Sequence, residues 1–454
     1  MITTSRILTT ALLIGAATSH LFAQGQPPPQ TLALQQCIDL ALKQNPAVLK
    51  AQQEIRRTHG LVVEARADTI PHVTAFGTYA QIDPSAIDKF PFGGGGGTTT
   101  SQVFDNQKQP WVARVEATQL LYAGGRVTAN MRAAKLSDQI ATLGFQQTVA
   151  DTILSVRTAF YQILLNKAQV TVREQSVTLL EQQLEDARHR FDAGAVPRFN
   201  VLRAEVELAN AKPPLIRAQN DLRLAREALV KLLAIDSPKN QDFTPIAFEG
   251  ELAYEHREWN LNRALTDALV RRPELQQAEK QVSVATENIK VARAGYLPEL
   301  FVFGNYAIFD STFSDDIGET VDGWTVGARA TWPLFDGLAT KGKVSQARAQ
   351  REQADLDFAD ARRAIELEVR QAYSDYLQSV ELLEAQKKTV EQAEESLRLA
   401  EARFRAGTGT QLDVLSAQTA LTDARSNEIQ ALYDYNVAVA TLERATGSTV
   451  EIAP

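Results

Sequence analysis

The chain has a single cysteine, Cys37, in 454 residues, so no intrachain disulfide can form. Cys37 lies in LQQCIDLALKQNP with no lipobox around it and reads as a small apolar residue on an amphipathic helix. Aromatic content is only 7%, and no Lys/Arg cluster with interleaved aromatics occurs in a chain of net charge −8, which disfavours nucleic acid as a partner. After the first two dozen residues no run of eighteen apolar residues appears, so any membrane entry must use β-strands. The five histidines, His20, His59, His72, His189 and His256, are scattered, and none has metal-ligand spacing. No catalytic constellation, metal site or cofactor site emerges, and an enzyme is not expected. The glycine run Gly93 to Gly97 continues as TTTSQ rather than Lys-Ser/Thr, which makes it a loop and not a phosphate cradle.

What is present begins with Arg6 and the apolar run ILTTALLIGAATSHLFA, the pattern of a secretory signal over residues 1–23; an uncleaved anchor is the alternative, but the run is short for a spanning helix. A linker, QGQPPPQ, follows within residues 24–33.

The remainder is a duplication. ARADTIPHVTAFGTYAQ pairs with ARAGYLPELFVFGNYAI, with Pro71 and Pro298 aligned at 298 − 71 = 227. Trp111 pairs with Trp324, Gly124 with Gly337, Phe191 with Phe404 and Gly194 with Gly407, all at 404 − 191 = 213. The first copy holds 227 − 213 = 14 extra residues, which fall in the glycine-containing loop from Pro84 to Asn106. The expected repeats are 34–250 and 251–448, followed by a tail at 449–454. The first carries strands at about 72–83 and 111–122 and long helices at about 126–191 and 198–235. The second carries strands at about 299–309 and 323–335 and long helices at about 338–405 and 411–446. Ile365, Val369, Ala372, Tyr376, Ser379, Leu383, Gln386 and Val390 open a heptad seam that runs on to Phe404, matched by a weaker one from Val156 to Phe191. Sixty residues and more of continuous helix is roughly 100 Å, a rod rather than a globule.

The strands alternate. Trp324, Val326, Ala328, Ala330, Trp332 and Leu334 face one way, against Thr325, Gly327, Arg329 and Thr331; Trp111, Ala113, Val115, Ala117 and Leu121 oppose Arg114, Glu116 and Thr118. Apolar outside, charged inside and aromatic at the ends is a transmembrane strand pattern, with Tyr79, Trp111, Tyr122, Tyr306, Trp324, Trp332 and Phe335 as membrane-interface aromatics and Phe309 as a further possibility. Four strands are too few to close even the smallest barrel, and an open edge cannot persist in lipid. Either the strands are soluble hairpins packed on helices, or several chains share one barrel.

The near-identical words RFDAGAVPRFNVL (Arg190 to Leu202) and RFRAGTGTQLDVL (Arg403 to Leu415) break the helical pattern in each copy. This order of signal segment, duplicated strands, long hairpins and both tip words resembles the TolC-like outer membrane efflux protein family, over nearly the whole mature chain. The resemblance implies a mainly α fold with transmembrane β: an α-helical tunnel built from the duplicated hairpins, with four strands per chain completing a 12-stranded barrel in a homotrimer. It also implies a place in the outer membrane and its lipid, with the tunnel in the periplasm. The partners it implies are a periplasmic adaptor (membrane fusion) protein and an inner-membrane pump of RND or ABC type. By the same resemblance the gate falls to Asp413, with Leu412 and Ser416 beside it. The family's gate-linking Tyr, Arg and Asp are replaced by Phe404, Gly409 and Asn200, so closure is expected to rest on packing and one Asp413 ring; Asp413 as a helix cap is the alternative. Arg190, Gly194, Arg403 and Gly407, with Val201, Leu202, Val414 and Leu415 expected to be exposed, form the implied adaptor-docking tips. A soluble periplasmic coiled-coil adaptor is the competing reading.

Overall fold

The computed structural model describes residues 31–81, 111–236, 246–310 and 321–448; the expected signal segment, the glycine loop and the tail fall outside them. The elements follow one order twice. The first copy holds β1 (Thr31–Leu32), α1 (Leu34–Gln44), α2 (Pro46–Ala67), β2 (His72–Tyr79), β3 (Trp111–Ala123), α3 (Arg126–Asp192) and α4 (Arg198–Leu232). The second holds β4 (Ala247–Phe248), α5 (Leu261–Arg271), α6 (Pro273–Ala294), β5 (Glu299–Asp310), β6 (Val321–Thr331), α7 (Ala339–Arg405) and α8 (Gln411–Ala445). The helices match pairwise in length, at 11, 22, 67 and 35 residues in both copies. No described helix is long and apolar enough to cross a membrane.

Local chemistry sets the breaks. Pro46 and Pro273 open α2 and α6 at the first helical turn, where a missing N–H costs nothing. The strand-to-helix corners use paired left-handed residues: Gly124 and Gly125 in the first copy, Gly337 and Leu338 in the second. At Gly124 a side chain would also meet Leu297 Cβ at 2.8 Å and the Ala294 carbonyl at 2.9 Å, so only glycine fits there. Pro213 and Pro214 sit inside α4, where the equivalent α8 positions are Ser426 and Asn427.

The seam residues of α7 from Ile365 to Leu383 are buried, and those nearer the tip, from Gln386 to Phe404, are half-buried. Two large apolar cores result among the described residues, with a smaller one at the first-copy tip. One gathers Cys37, Val156, Phe160, Ile163, Leu229 and Leu233 beneath β1 and β4; the other gathers Val369, Tyr376, Leu383, Tyr435 and Leu442. Burial pushes the Cys37 thiol up to about 12, consistent with a packing role.

Between the cores the two copies are riveted by charge. Arg272, 4% exposed, donates to Glu274 (2.9 and 3.0 Å), Glu368 (2.9 Å) and the Ala445 carbonyl (3.2 Å). Arg444 reaches the same two carboxylates and also Asp151 of α3. Glu443 joins Arg157 of α3 to Arg257. Asn45, the first-copy counterpart of Arg272, donates to the Leu232 carbonyl at 2.8 Å and caps α2 by accepting from the Ala47 N–H at 2.8 Å, with no carboxylate partner.

Candidate functional site

At one end, the strands form a single antiparallel sheet in the order β2-β3-β5-β6. Its register sorts the side chains into two faces. Val73, Ala75, Gly77 and Tyr79 lie opposite Ala117, Val115, Ala113 and Trp111, and Leu300, Val302, Gly304 and Tyr306 lie opposite Ala330, Ala328, Val326 and Trp324. The middle of this face is apolar and Gln119, Asp310 and Asp322 lie towards its ends; Tyr79 pairs with Trp111 at the end of β3, while Tyr306 pairs with Trp324 further in, opposite Val115. The other face carries Thr74, Arg114, Glu116, Thr118, Asn305, Thr325 and Arg329, with Arg114 and Arg329 each 5.5 Å from a phenylalanine ring on the same face (Phe76 and Phe303). Among the described residues, both outer strands, β2 and β6, have one edge unpaired in the single chain.

Three expectations are corrected here. β6 ends at Thr331 rather than Phe335, because Pro333 has no N–H to continue a ladder. Trp332 and Phe335 therefore lie below the sheet, exposed, with the Trp332 indole donating to the Tyr296 carbonyl at 3.1 Å. A β-bulge between Leu120 and Tyr122 takes Leu121 out of the alternation and pairs Tyr122 with Leu300, on the apolar face. Phe309 pairs with Val112 and Val321, so it belongs to the polar-lined face and not to the interface set.

At the far end stand the two tips. Each long helix ends in a Schellman turn: Ala195 N–H donates to Arg190 O (2.8 Å) and Gly194 N–H to Phe191 O (2.8 Å), with Thr408 to Arg403 O (3.0 Å) and Gly407 to Phe404 O (3.2 Å) in the second copy. Gly194 and Gly407 have φ of +74° and +73° with open space around them, so conformation and not room requires glycine. Gly409 differs: a side chain there would meet Arg403 Cβ at 3.0 Å.

Asp413 enters a capping box. Its Oδ2 accepts from the Thr410 N–H and hydroxyl, both at 2.8 Å, while the Asp413 N–H donates to the Thr410 hydroxyl at 3.2 Å. The N-cap is thus Thr410, and Asp413 is its reciprocal partner. The Thr410 backbone bond, then its hydroxyl bond, hold the Asp413 carboxyl below the usual range. The first-copy equivalents, Pro197 and Asn200, make no such side-chain cap.

Val201, Val414 and Leu415 are buried rather than exposed, which corrects their expected place at an adaptor surface. Helical phase explains it: Val201 turns into the hairpin core with Leu184, Ala187 and Ala204, while Leu202, one position on, is exposed with Leu412 and Ser416.

A contact invisible to the sequence joins the two tips. The Arg190 guanidinium lies 4.7 Å from the Phe404 ring centroid, a cation–π pair between the hairpins. Both line a cavity of about 260 Å³ with Asn200, Glu401, Arg405 and Val414. Further from the tip the seam between α3 and α8 is polar: Gln183 donates to Gln418 (2.7 Å), Gln169 to the Ser426 carbonyl (3.0 Å), and Arg173 approaches Asp423 (4.0 Å). Gln183 Oε1 and Gln418 Nε2 are buried without partners. The hairpins themselves close on apolar seams; the boundary between them does not.

Comparison with known proteins finds relatives over most of the chain. A family described as "Outer membrane efflux protein" matches residues 37–234 and 264–448. The outer membrane protein TolC of Vibrio cholerae is 27% identical over 328 residues, covering 71% of this chain and 73% of that protein. Protein CyaE of Bordetella pertussis is 27% identical over 415 residues, covering 89% and 82%. The crystal structure of the Campylobacter jejuni CmeC outer membrane channel superposes with a TM-score of 0.76 at 16% identity, covering 91% of this chain and 85% of that one.

Proposed function

The chain belongs to the outer membrane efflux protein family, and we propose that three copies form the passive exit duct of a tripartite efflux pump or type I secretion system. The protein is an outer membrane channel with a periplasmic tunnel. The observation that carries the trimeric reading is the four-stranded sheet with an apolar face and two unpaired edges, continuous through tight corners with helices of 67 residues. Unpaired backbone at both edges is untenable in hydrocarbon, and strand pairing between copies removes it. Three chains give twelve strands, and roughly 100 Å of helix below them reaches across an aqueous compartment.

The division of labour follows. Substrate enters from an inner-membrane pump of RND or ABC type, and a periplasmic adaptor docks on exposed tip groups around Gly194, Leu202, Arg403 and Gly407. The gate is the second-copy tip, where Asp413 from each chain faces the axis beside Leu412 and Ser416, and Phe404 is held by Arg190 next to Asn200. The duct performs no chemistry, and its selectivity is that of the pump it serves. Cell fractionation followed by gel electrophoresis with and without heating tests the reading. A heat-dissociable trimer in the outer membrane is expected, and a soluble periplasmic monomer would favour an adaptor or scaffold instead.

A further inference from the structure

The corner from β6 into α7 leaves a shelf of apolar side chains uncovered. Trp332, Leu334, Phe335 and Leu338 are exposed, Leu334 by 83% and Phe335 by 81%, and so are Tyr296 and Leu297 just past the end of α6. The Trp332 indole bond to the Tyr296 carbonyl ties the two segments together. Thr340 in the first turn of α7 also lies against Gly295, where a side chain would meet its hydroxyl at 2.7 Å. The shelf follows directly on a strand of the sheet whose one face is apolar over its middle.

Beneath the sheet the chain changes charge. Its net charge is −8, yet residues 126–137 of α3, 288–294 of α6 and 339–351 of α7 hold three, two and four cations and no carboxylate. Some are committed to acids outside these stretches: Arg126 to Glu299, Arg132 and Lys290 to Glu287, and Arg351 to Asp355. Arg293, Lys341 and Lys343 are exposed and have no hydrogen bond or ion pair from their side chains among the described residues. Asp336, the acid nearest to the two lysines in sequence, is engaged by the Thr340 N–H at 2.7 Å. The first copy does not repeat this corner. At the offset of 213, Lys341 and Lys343 correspond to Thr128 and Asn130, and Trp332 and Leu338 to Gln119 and Gly125. The shared fold therefore does not require the arrangement.

Resting on the reading that places the apolar sheet face in lipid, we infer that this corner binds an anionic glycerophospholipid of the leaflet nearer the tunnel. Arg293, Lys341 and Lys343 hold its phosphate, and Trp332, Leu334 and Phe335 support its acyl chains. The dimensions fit. A headgroup layer is about 5–8 Å deep, and at 1.5 Å per residue Lys341 and Lys343 lie roughly 3–6 Å along the helix from Ala339. Thr340, Val344 and Ala347 are buried, so the two lysines leave on either flank of the opposite side. Gly342 between them has open space around it, so an anion can approach the helix there between the two ammonium groups. The positive end of α7 adds to the attraction. Apolar shelf and free cations side by side suit an amphiphile, where a soluble anion would need the cations alone.

The test is native mass spectrometry of full-length trimers released from detergent micelles that contain phosphatidylglycerol or phosphatidylcholine. Up to three phosphatidylglycerols per trimer are expected to stay bound, at least about ten-fold more tightly than phosphatidylcholine. Each cation near an anionic lipid contributes roughly 5-fold, so Lys341→Gln with Lys343→Gln should weaken phosphatidylglycerol by about 25-fold and leave phosphatidylcholine unchanged. Lys135→Gln, which removes a cation about 14 Å along α3 and below the headgroup layer, should change neither. Glycerophosphate, which has the phosphate without acyl chains, should bind about a hundred-fold more weakly than the lipid. Trimers that retain no lipid, as they would if a neighbouring copy covered the corner, overturn the inference and leave the duct standing. So do equal retention of the two lipids, an undiminished preference in the double variant, an equal loss in Lys135→Gln, and glycerophosphate bound as tightly as lipid. A wild-type chain that forms no trimer overturns the shared barrel on which the site rests.

Discussion

Replacing Arg272 by Met removes the most deeply buried guanidinium of the charge cluster that joins the copies. The substitution keeps the aliphatic volume, so packing is nearly preserved and the change is electrostatic. Glu274 and Glu368 are then left to Arg444 alone, and the Ala445 carbonyl loses its donor. Breaking a buried ion pair on one side costs about 3–5 kcal/mol. Glu368 is 38% exposed and Arg444 still bonds both carboxylates, so solvent screening reduces this to about 2–3 kcal/mol. With an unfolding entropy near 2.1 cal/mol/K per residue, the region 261–448 loses stability at about 0.4 kcal/mol per degree, and the melting temperature should fall by about 5–7 °C. Circular dichroism melting in detergent at a fixed scan rate measures it, since unfolding of such a protein is read as a rate-dependent midpoint. Adding Glu274→Gln to Arg272→Met should recover part of the loss, because one uncompensated carboxylate disappears. An Arg272→Met protein that melts within about 1 °C of wild type would falsify the assignment of Arg272 as the keystone, as would a double variant that melts lower still.

Acid should loosen the same joint. Burial pushes the Glu274 carboxyl up, but the hydrogen bonds and charge of Arg272, with Arg444 behind them, hold it below its ordinary value of 4.5. Its folded pKa is therefore below the unfolded one, so its contribution is whole above about pH 4.5 and is lost as pH falls through the folded value; Glu274→Gln should flatten that acid limb in melting curves. Asp413→Ala should reduce cation selectivity and change the conductance of reconstituted channels, whereas unaltered bilayer currents would leave Asp413 as a capping residue alone. Valine at Gly194 or Gly407 strains a left-handed turn by about 1–2 kcal/mol, too little to unfold a long helix, yet it should abolish resistance or secretion while assembled channels persist; retained resistance would remove the tips from adaptor docking.

Much of this architecture was legible in the sequence because it is periodic. The α7 seam could be followed from Ile365 to Leu383 by steps of three and four, and each of those residues is buried. The strand faces followed from alternation, except where a single residue broke the period: Pro333 ended β6 early, and the bulge at Leu121 moved Tyr122 onto the apolar face. Burial at the tips was misjudged at Val201, Val414 and Leu415, since a turn looks exposed in sequence while the first helical turn after it already packs. The Arg190 contact with Phe404 was out of reach of periodicity, which pairs residues along one hairpin and not across two. The repeated word did hold a clue to it. An Arg-Phe pair stands at the equivalent place in each copy, and Arg190 of the first reaches Phe404 of the second.

The unpaired edges of β2 and β6 bear on how the molecule is made as well as on its final shape. A chain newly delivered to the periplasm carries an apolar sheet face and two adhesive borders with nothing to satisfy them. Lipid cannot shelter such a sheet while its borders are open, and water cannot shelter its face. In the proposed shared barrel, association of the chains and entry into the bilayer are therefore one coupled event, and the solitary chain is the stage most exposed to aggregation.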